Sequence, residues 1–455
     1  MAEIVKIKKG LDIPLKGKIE DPSPIKVEAA KAGIVPDDFP GYTWKTLVKP
    51  GDNVVKGSPL LIEKENGKVA ITSPMTGTVK EVRRGERRKL EAIVVSREAT
   101  KEGEKLPFEE MLQKYGDGTD ADRELITDIL CSSGLWAMMR QRPYDIVPNP
   151  AVTPRDIFIT AFDSAPLAGQ MISAAHTKYL ESGIKVLRKL TEGKVYLGVA
   201  FGSGISAAGA EVVEFQGPHP AGNAGVQIAH IKPVNKGETV WAMDARTVVR
   251  MGILFTDHIL DTDTRVAVTG PQVEKPRYVD TQIGASIEDI LADFKRAKEE
   301  KSRIISGNVL TGIQVSREEG FLRYPYRQIT VIREGDSTGE FMGWASMDPK
   351  KFSVKHSFPA FMRGLKKPFD FDARLKGGRR AMILSGEYDK VFPMDIYPEF
   401  LLKAIIANDI DKMEKLGIYE VAPEDFALPE FVDTSKIPLQ QIVREGLTRL
   451  RKEIE

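Results

Sequence analysis

The chain is nearly free of cysteine. Cys131 is the only one in 455 residues. A single thiol excludes a disulfide framework and suits a reducing compartment. It also excludes an iron–sulfur cluster held by this chain's own cysteines, because such a cluster needs several convergent thiolates. Cys131 stands in no recognisable nucleophile motif, so we predict a buried and unreactive thiol.

Long apolar runs and an excess of either charge are also missing. Lysine and arginine number 66 against 65 aspartate and glutamate, a net charge of +1 that gives no electrostatic case for nucleic acid. The first lysines are not followed by an apolar run, so we predict no signal peptide. The uncharged stretch 195–210 has 16 residues, fewer than the roughly 20 that a membrane-spanning helix needs. We therefore expect a soluble chain that reaches a membrane only through a partner.

The composition that remains is typical of a soluble globular protein, with 42% hydrophobic and 29% charged residues. A chain of this length forms about two to four domains, each with its own core. We predict an α/β multidomain protein, divided at residues 1–100, 101–257, 258–331 and 332–455.

Residues 1–100 are predicted to form a small antiparallel β domain. The apolar segments 47–61 and 69–82 alternate between PGD, KGSP and MTG turns. This pattern resembles the biotinyl/lipoyl carrier, or hammerhead, fold. The motif that carries the modified lysine is absent from the hairpin between the segments, so Lys64 and Lys68 are predicted to be plain surface residues.

The three later segments differ in pattern. Residues 101–257 alternate between strands, as at 156–162 and 194–201, and a helix predicted at 171–190, which indicates a Rossmann-like α/β domain with a largely parallel sheet. Residues 258–331 resemble a β-grasp domain of the soluble-ligand-binding type. Residues 332–455 are predicted to be helical from about Phe352 onward, with 398–417 strongly amphipathic.

The C-terminal segment has the frame of iron–sulfur loops without the cysteines. In C-x2-C-x2-C-x3-C-P, four thiolates converge from one tight loop. Residues 382–393 fit this spacing with Met382, Ser385, Tyr388, Phe392 and Pro393. Further on, Asp433 occupies the place of the last cysteine of a second, less regular loop.

A glycine-rich segment at 201–211 follows a predicted strand and approximates the G-x-G-x-x-A pattern. If it opens a helix, its backbone amides could hold a phosphate. Gly202, Gly204 and Gly209 are therefore weak candidates for cofactor binding. Tight packing of a strand against a helix explains the same glycines.

Aromatic and basic side chains come together at 131–145, where Trp136 lies close to Arg140 and Arg142. These residues could hold a flat ligand with carbonyl groups, or the tryptophan could pack into the core while the arginines face solvent. Phe39 lies in an irregular aromatic loop at 33–44, which is either core or a ligand lid. His219 and His230 lack the spacing of a metal pair, and we predict no metal site and no catalytic residue.

The order of the domains resembles the flavin- and cluster-bearing subunits of respiratory NADH dehydrogenases and of the Rnf complex. The segments 6–18, 73–79 and 305–312 are closer to the NqrA family, the soluble subunits of the Na+-translocating NADH:quinone reductase, and we identify the chain as a member of that family. The flavin-binding relatives carry a glycine-rich loop where this chain has 133–142, and a second acidic residue where it has Ala165.

The resemblance implies a peripheral subunit on the cytoplasmic side of a bacterial inner membrane. It implies five partners, NqrB to NqrF, with the membrane protein NqrB as the main contact. Flavins and iron–sulfur clusters are expected in those partners, with no cofactor held tightly here. The complex oxidises NADH, reduces ubiquinone and exports Na+, whereas the isolated chain is expected to be non-catalytic. We expect a quinone-binding surface formed by Phe39, Trp136, Arg140 and Arg142.

Two alternatives remain open. The chain could be a purely structural docking subunit without a ligand of its own. It could be a flavoenzyme, which a visible spectrum would reveal. A biotin-type carrier conflicts with the missing lysine motif.

Overall fold

The computed structural model describes residues 3–98, 105–116, 118, 121–295, 301–336, 351–354 and 367–454. The strands are β1 Glu3–Lys6, β2 Asp21–Lys26, β3 Lys31–Ile34, β4 Trp44–Thr46, β5 Asn53–Val54, β6 Pro59–Glu63, β7 Ala70–Thr72, β8 Gly77–Arg84, β9 Leu90–Arg97, β10 Arg140–Arg142, β11 Ile157–Thr160, β12 Val195–Ala200, β13 Glu211–Gln216, β14 Val240–Asp244, β15 Asp263–Thr269, β16 Arg277–Gln282, β17 Ser302–Ser306, β18 Ile313–Val315 and β19 Gln328–Arg333. The α-helices are α1 Glu109–Tyr115, α2 Arg123–Ser132, α3 Thr177–Arg188, α4 Ala224–Ile231, α5 Ala245–Asp257, α6 Ile287–Ile290, α7 Pro398–Ile406, α8 Ile410–Lys415, α9 Ala427–Val432 and α10 Leu439–Ile454.

Two small antiparallel sheets form the N-terminal β domain, with strand orders β3-β9-β8-β5 and β4-β6-β7. Alternate apolar side chains such as Leu61, Val79 and Ile93 are buried between them. Lys64 and Lys68 lie exposed in the hairpin that joins β6 to β7, as plain surface lysines would.

A sheet in the order β1-β13-β12-β11-β14-β10 forms the centre of the α/β domain. Neighbouring strands are parallel except for the β14–β10 pair. Helices α3 and α5 pack against each other and cover one face, while α4 packs on Phe158 and Tyr196 of the other. The predicted strands at 156–162 and 194–201 are observed as β11 and β12, and the helix predicted at 171–190 is shorter.

The first 26 residues do not pair with the domain in which the sequence pattern placed them. Strand β1 pairs with β13 of the α/β sheet, and β2 pairs with β16 of the following domain. These partners are more than 200 residues away, and a local hydrophobic pattern contains no information about such pairing. The predicted division at residues 1–100 therefore differs from the strand pairing.

The third large sheet has the order β18-β17-β19-β15-β16-β2. Its core contains Val266, Val268, Val279 and Ile329, with Ile287 of the short helix α6 packed against them. The strands predicted at 303–315 are observed as β17 and β18.

The C-terminal part becomes helical later than predicted. Its first described α-helix is α7, and the earlier described residues 351–354 and 367–397 contain a 3-10 turn and isolated β-bridges at Phe369 and Asp372. The amphipathic segment 398–417 forms two helices, because Asn408 adopts a left-handed φ of 55° and Asp409 caps the second helix. Leu401 and Leu402 of α7 share a buried cluster with Val443 and Leu447 of α10.

Candidate functional site

A cavity of about 630 Å³ lies where the α/β sheet, the third sheet and the C-terminal helices meet. It opens at the carboxyl ends of β11 and β14, the edge at which open parallel sheets bind ligands. Thr160 and Asp244 end these two strands and line the cavity. Its other walls include Asp38, His219, Tyr324, Tyr326, Arg327, Glu424 and Arg444.

Arg140 lines this cavity, but its guanidinium donates mainly to the protein backbone. It donates to the carbonyl oxygens of Ala137 at 3.1 Å, Met139 at 2.9 Å and Asp38 at 2.7 Å. The guanidinium also lies 5.6 Å from the ring centre of Tyr324. Arg140 therefore holds the cavity wall in place and has few donors left for a ligand.

Arg142 belongs to a buried charged cluster at the same edge of the cavity. Its side chain is 2% exposed, donates to Glu424 Oε1 at 2.8 Å, and lies 3.6 Å from Asp425 and 3.8 Å from Asp145. Asp145 also pairs with Arg444 at 2.5 Å. We name these five residues the Arg142 cluster. With two cations and three carboxylates, it has a net charge of −1 when all five groups are ionised.

Burial and the neighbouring charges shift the pKa values of the three acids. Burial raises the pKa of Asp425 to about 6 and that of Glu424 to about 7, and neighbouring carboxylates add to the effect while Arg142 opposes it. Burial acts on Asp145 as well, but Arg142 and Arg444 outweigh it and lower the pKa of that group. The cluster thus favours a proton on the Glu424–Asp425 pair.

The structure places Trp136 away from the cavity. The ring is fully buried, packs edge-on against Trp241 with ring centres 5.0 Å apart, and donates from Nε1 to the Pro148 carbonyl at 2.8 Å. Trp136, predicted to contact a ligand, therefore lies in the core and outside the cavity lining. Its size and its indole N–H are both accommodated by the core.

Phe39 also lies behind the cavity wall. Its ring stacks on Tyr324 with centres 5.4 Å apart and planes 9° apart. Tyr324 lines the cavity, and its hydroxyl donates to the Met138 carbonyl at 2.6 Å. Phe39 supports an aromatic wall and does not form the surface itself.

The glycine-rich segment lacks the context of a nucleotide site. It follows strand β12 as predicted, but it leads into strand β13 instead of a helix. Gly202 and Gly204 are exposed turn residues with φ values of 70° and 68°, and Gly209 has a φ of 90°. Without a helix N-terminus, the helix dipole and converging amides of a phosphate site are missing.

The positions that match cluster cysteines form a protein core. Tyr388 is buried and donates to Asp433 Oδ1 at 2.8 Å, so these two positions meet in space. Phe392 packs against Phe426 with ring centres 5.2 Å apart, and Ser385 bonds to Glu399. Where a cluster would lie, this chain has an aromatic core.

His219 lines the cavity near the end of β11, and its imidazole pairs with the hydroxyl of Ser164. Ser164 Oγ lies 3.0 Å from Nδ1 of His219 and accepts a hydrogen bond from Gly222 N at 2.8 Å. Asp163 and Ala165 flank the serine and line the same cavity. Among the described residues, no group of three His, Cys, Asp or Glu side chains is placed to hold a metal ion.

Comparison with known proteins identifies the family. Three domain models match this chain: the NqrA N-terminal barrel-sandwich hybrid domain over residues 5–98, the NqrA second alpha/beta domain over 121–259 and the NQRA C-terminal domain over 265–317. The chain is 37% identical to the A subunit of the Na(+)-translocating NADH-quinone reductase of Saccharophagus degradans over 459 residues, covering 99% of this chain and 100% of that one. The chain belongs to the NqrA family. The Serratia proteamaculans and Shewanella frigidimarina proteins of the same name are 37% and 36% identical, each over 99% of this chain.

The resemblance stated from the sequence is thereby confirmed, as is the mixed α/β architecture with an N-terminal barrel-sandwich domain. The relatives' name describes an oxidoreductase complex that translocates sodium, which is the class that the resemblance implied. An NAD+-reducing [NiFe]-hydrogenase aligns over 76% of this chain and 61% of its own, at 12% identity and a TM-score of 0.34, too low to carry an argument. No helix in the described ranges has the length and apolarity to cross a membrane.

Of the residues predicted for a site, Arg140 and Arg142 line the cavity. Tyr324 and Glu424, which also line it, and Ser164, which bonds to His219, were not predicted. Ser164 carries a usable signal, because it lies just beyond a buried parallel strand, where ligand-binding loops begin. Tyr324 and Glu424 are more than 150 residues away from that strand and carry no local signal.

Proposed function

We propose that this chain is the peripheral, quinone-binding NqrA component of a Na+-translocating NADH:ubiquinone reductase, and that the ubiquinone ring occupies the cavity described above. The observation that carries the proposal is the cavity itself. It measures about 630 Å³, within the range of small-molecule sites, and lies at the carboxyl edge of a parallel sheet.

The shape and chemistry of the walls support a flat ligand with carbonyl groups. Tyr324 contributes an aromatic ring to the wall, where Phe39 stacks on it and the Arg140 guanidinium lies 5.6 Å from its centre. Arg140 and Arg142 line the same side of the cavity, where the carboxylates of the Arg142 cluster balance their charge. Phe39 keeps a supporting role in this proposal, and Trp136 and the glycines at 202, 204 and 209 have none.

The proposal assigns the redox cofactors to other chains. Flavins and clusters would belong to NqrB to NqrF, with the membrane protein NqrB as the main contact at the cytoplasmic face. This chain would bind quinone without catalysing a reaction when isolated. Co-purification of the native assembly with identification of its subunits tests the placement, and purification without partner subunits would contradict it.

A titration of the purified chain with ubiquinone-1 by calorimetry tests the ligand. We expect saturable binding, weakened several-fold by Gln170→Trp at the exposed rim of the cavity and unchanged by Gln113→Trp on helix α1. A photoreactive quinone should label the segments around Arg140, Phe162 and Tyr324. Absence of saturable binding would instead favour the purely structural docking role.

A further inference from the structure

The arginines around the cavity already have protein partners. Arg140 donates to backbone carbonyls and Arg142 to Glu424, as described above. The other three lining arginines pair with acids, Arg265 with Asp280 at 2.7 Å, Arg327 with Asp244 at 2.9 Å and Arg444 with Asp145 at 2.5 Å. A carbonyl ligand would therefore compete with existing ion pairs for these donors.

His219 offers a donor without that competition. The residue is 4% exposed and lines the cavity, and Ser164 occupies its Nδ1. In the described part of the chain, no group forms a hydrogen bond with its Nε2. The Nε2 atom is also not fully enclosed by protein. Nε2 therefore keeps some solvent contact, on a residue that lines the cavity.

The direction of the hydrogen bond between Ser164 and His219 sets which imidazole nitrogen carries the proton. Gly222 N donates to Ser164 Oγ, so the serine hydroxyl is already an acceptor in one bond. If it donates to His219 Nδ1, the ring hydrogen lies on Nε2, which can give it to water or to a ligand. If Nδ1 carried the hydrogen instead, a carbonyl oxygen in the cavity would face the lone pair of Nε2, which repels it. A carbonyl ligand at this position therefore requires that Nδ1 accept from Ser164 and that Nε2 carry the hydrogen.

The surroundings keep the imidazole neutral and immobile. Burial lowers the pKa of His219, against the opposing effect of Asp163 and Asp12. The backbone is held on both sides, since His219 N donates to Asp12 Oδ1 at 2.9 Å and its carbonyl accepts from Leu11 N at 2.8 Å. A neutral ring that is fixed in this way presents one N–H in a constant direction.

We propose that His219 is the hydrogen-bond donor that binds a carbonyl oxygen of the quinone ring through Nε2–H, and that Ser164 is the positioning residue that fixes its tautomer. This inference rests on the proposed function, because it names a contact within the same cavity. It explains how the site can bind a carbonyl oxygen while the lining arginines keep their partners.

The tautomer can be tested in the ligand-free chain by 15N NMR after selective labelling of its five histidines. The His219 resonances, assigned by their loss in His219→Gln, should show a protonated Nε2 and an unprotonated Nδ1 near neutral pH. Ser164→Ala should produce a mixture of tautomers. A protonated Nδ1 or a cationic ring in the unmodified chain would overturn the inference, whatever binds in the cavity.

Ubiquinone-1 titrations test the contact itself. His219→Leu removes the donor and should weaken binding about five- to tenfold, the effect of one neutral hydrogen bond. His219→Gln places an amide N–H near the former Nε2 and should retain most of the affinity, and Ser164→Ala should fall between the two. Addition of ubiquinone-1 should also shift the Nε2 resonance.

The possible failures are distinguishable. If ubiquinone-1 does not bind the unmodified chain, the proposed function fails, and the contact fails with it. If ubiquinone-1 binds and His219→Leu binds it equally well while its NMR spectrum remains that of a folded protein, only the His219 contact is refuted. If His219→Leu does not fold, Ser164→Ala decides: unchanged tautomer and unchanged affinity would refute the positioning role.

Discussion

Replacing Arg142 by methionine should strongly destabilise the protein. The side chain is buried between the α/β domain and the C-terminal helices and faces Asp145, Glu424 and Asp425 within 3.8 Å. Methionine fills similar space but leaves three carboxylates with Arg444 as their only cation in the cluster. Breaking a buried ion pair from one side costs about 3–5 kcal/mol. Since the pair Glu424–Asp425 can take up a proton, the loss should be smaller at pH 5.5 than at pH 7.5.

Urea unfolding at both pH values measures this effect, with Arg265→Met as the matched control. Arg265 and Asp280 form an exposed pair with side chains 49% and 41% exposed, and such pairs contribute about 0–1 kcal/mol. We expect a large shift of the midpoint for Arg142→Met alone. Equal shifts for the two variants, or a loss that does not depend on pH, would refute the buried cluster as the cause.

Three further outcomes follow from named contacts. The folded-state pKa of Asp425 is raised to about 6 from an ordinary 3.8, so the folded state binds more protons than the unfolded state between these pH values. The contribution of this group to stability is therefore fully present at low pH and is lost as pH rises through about 6, with a slope of about 1.4 kcal/mol per pH unit per proton. Asp425→Asn should flatten the dependence of the unfolding free energy on pH, and an unchanged slope would contradict the assignment. Glu424 is 39% exposed, so solvent weakens its share. Tyr388→Phe removes a hydrogen bond to a buried carboxylate and should lower the free energy of unfolding, measured in urea, by about 1.5–3 kcal/mol. The control Tyr397→Phe, at a residue that is 69% exposed, should lower it little. Equal effects of the two variants would count against the buried contact. Burial raises the pKa of the Cys131 thiol, so it should react with a disulfide reagent only after unfolding, and rapid labelling of the native chain would disprove the burial.

The sequence predicts elements well where the hydrophobic pattern is local. Strands β11 and β12 were expected because their residues are apolar on both faces, as in buried parallel strands. The break at Asn408 was missed because the amphipathic pattern continues through it, and only the left-handed φ and the cap at Asp409 divide the helix. The pairing of β1 with β13 could not be predicted from the sequence, because it depends on contacts across most of the α/β domain.

The candidate site shows the same division between local and long-range information. Arg140 and Arg142 were found because they stand close together in an unusual segment. Their actual partners, Asp38 on one side and Glu424 on the other, come from distant parts of the chain. Trp136 is of a residue type that is common in ligand sites, but it lies in the core. Residue type alone does not distinguish these two roles.

The contrast between filled and open sites is the strongest argument for a ligand. At the cluster-like loops the space is filled by Tyr388, Phe392 and Phe426, so packing and hydrogen bonds are satisfied without any cofactor. The cavity beside Thr160 and Asp244 is not filled by side chains, and charged groups that line it are held in ion pairs. A protein needed only for docking would gain stability from closing this space with apolar side chains. An open cavity beside an Nε2 that has no partner among the described residues is better explained by a ligand with a hydrogen-bond acceptor.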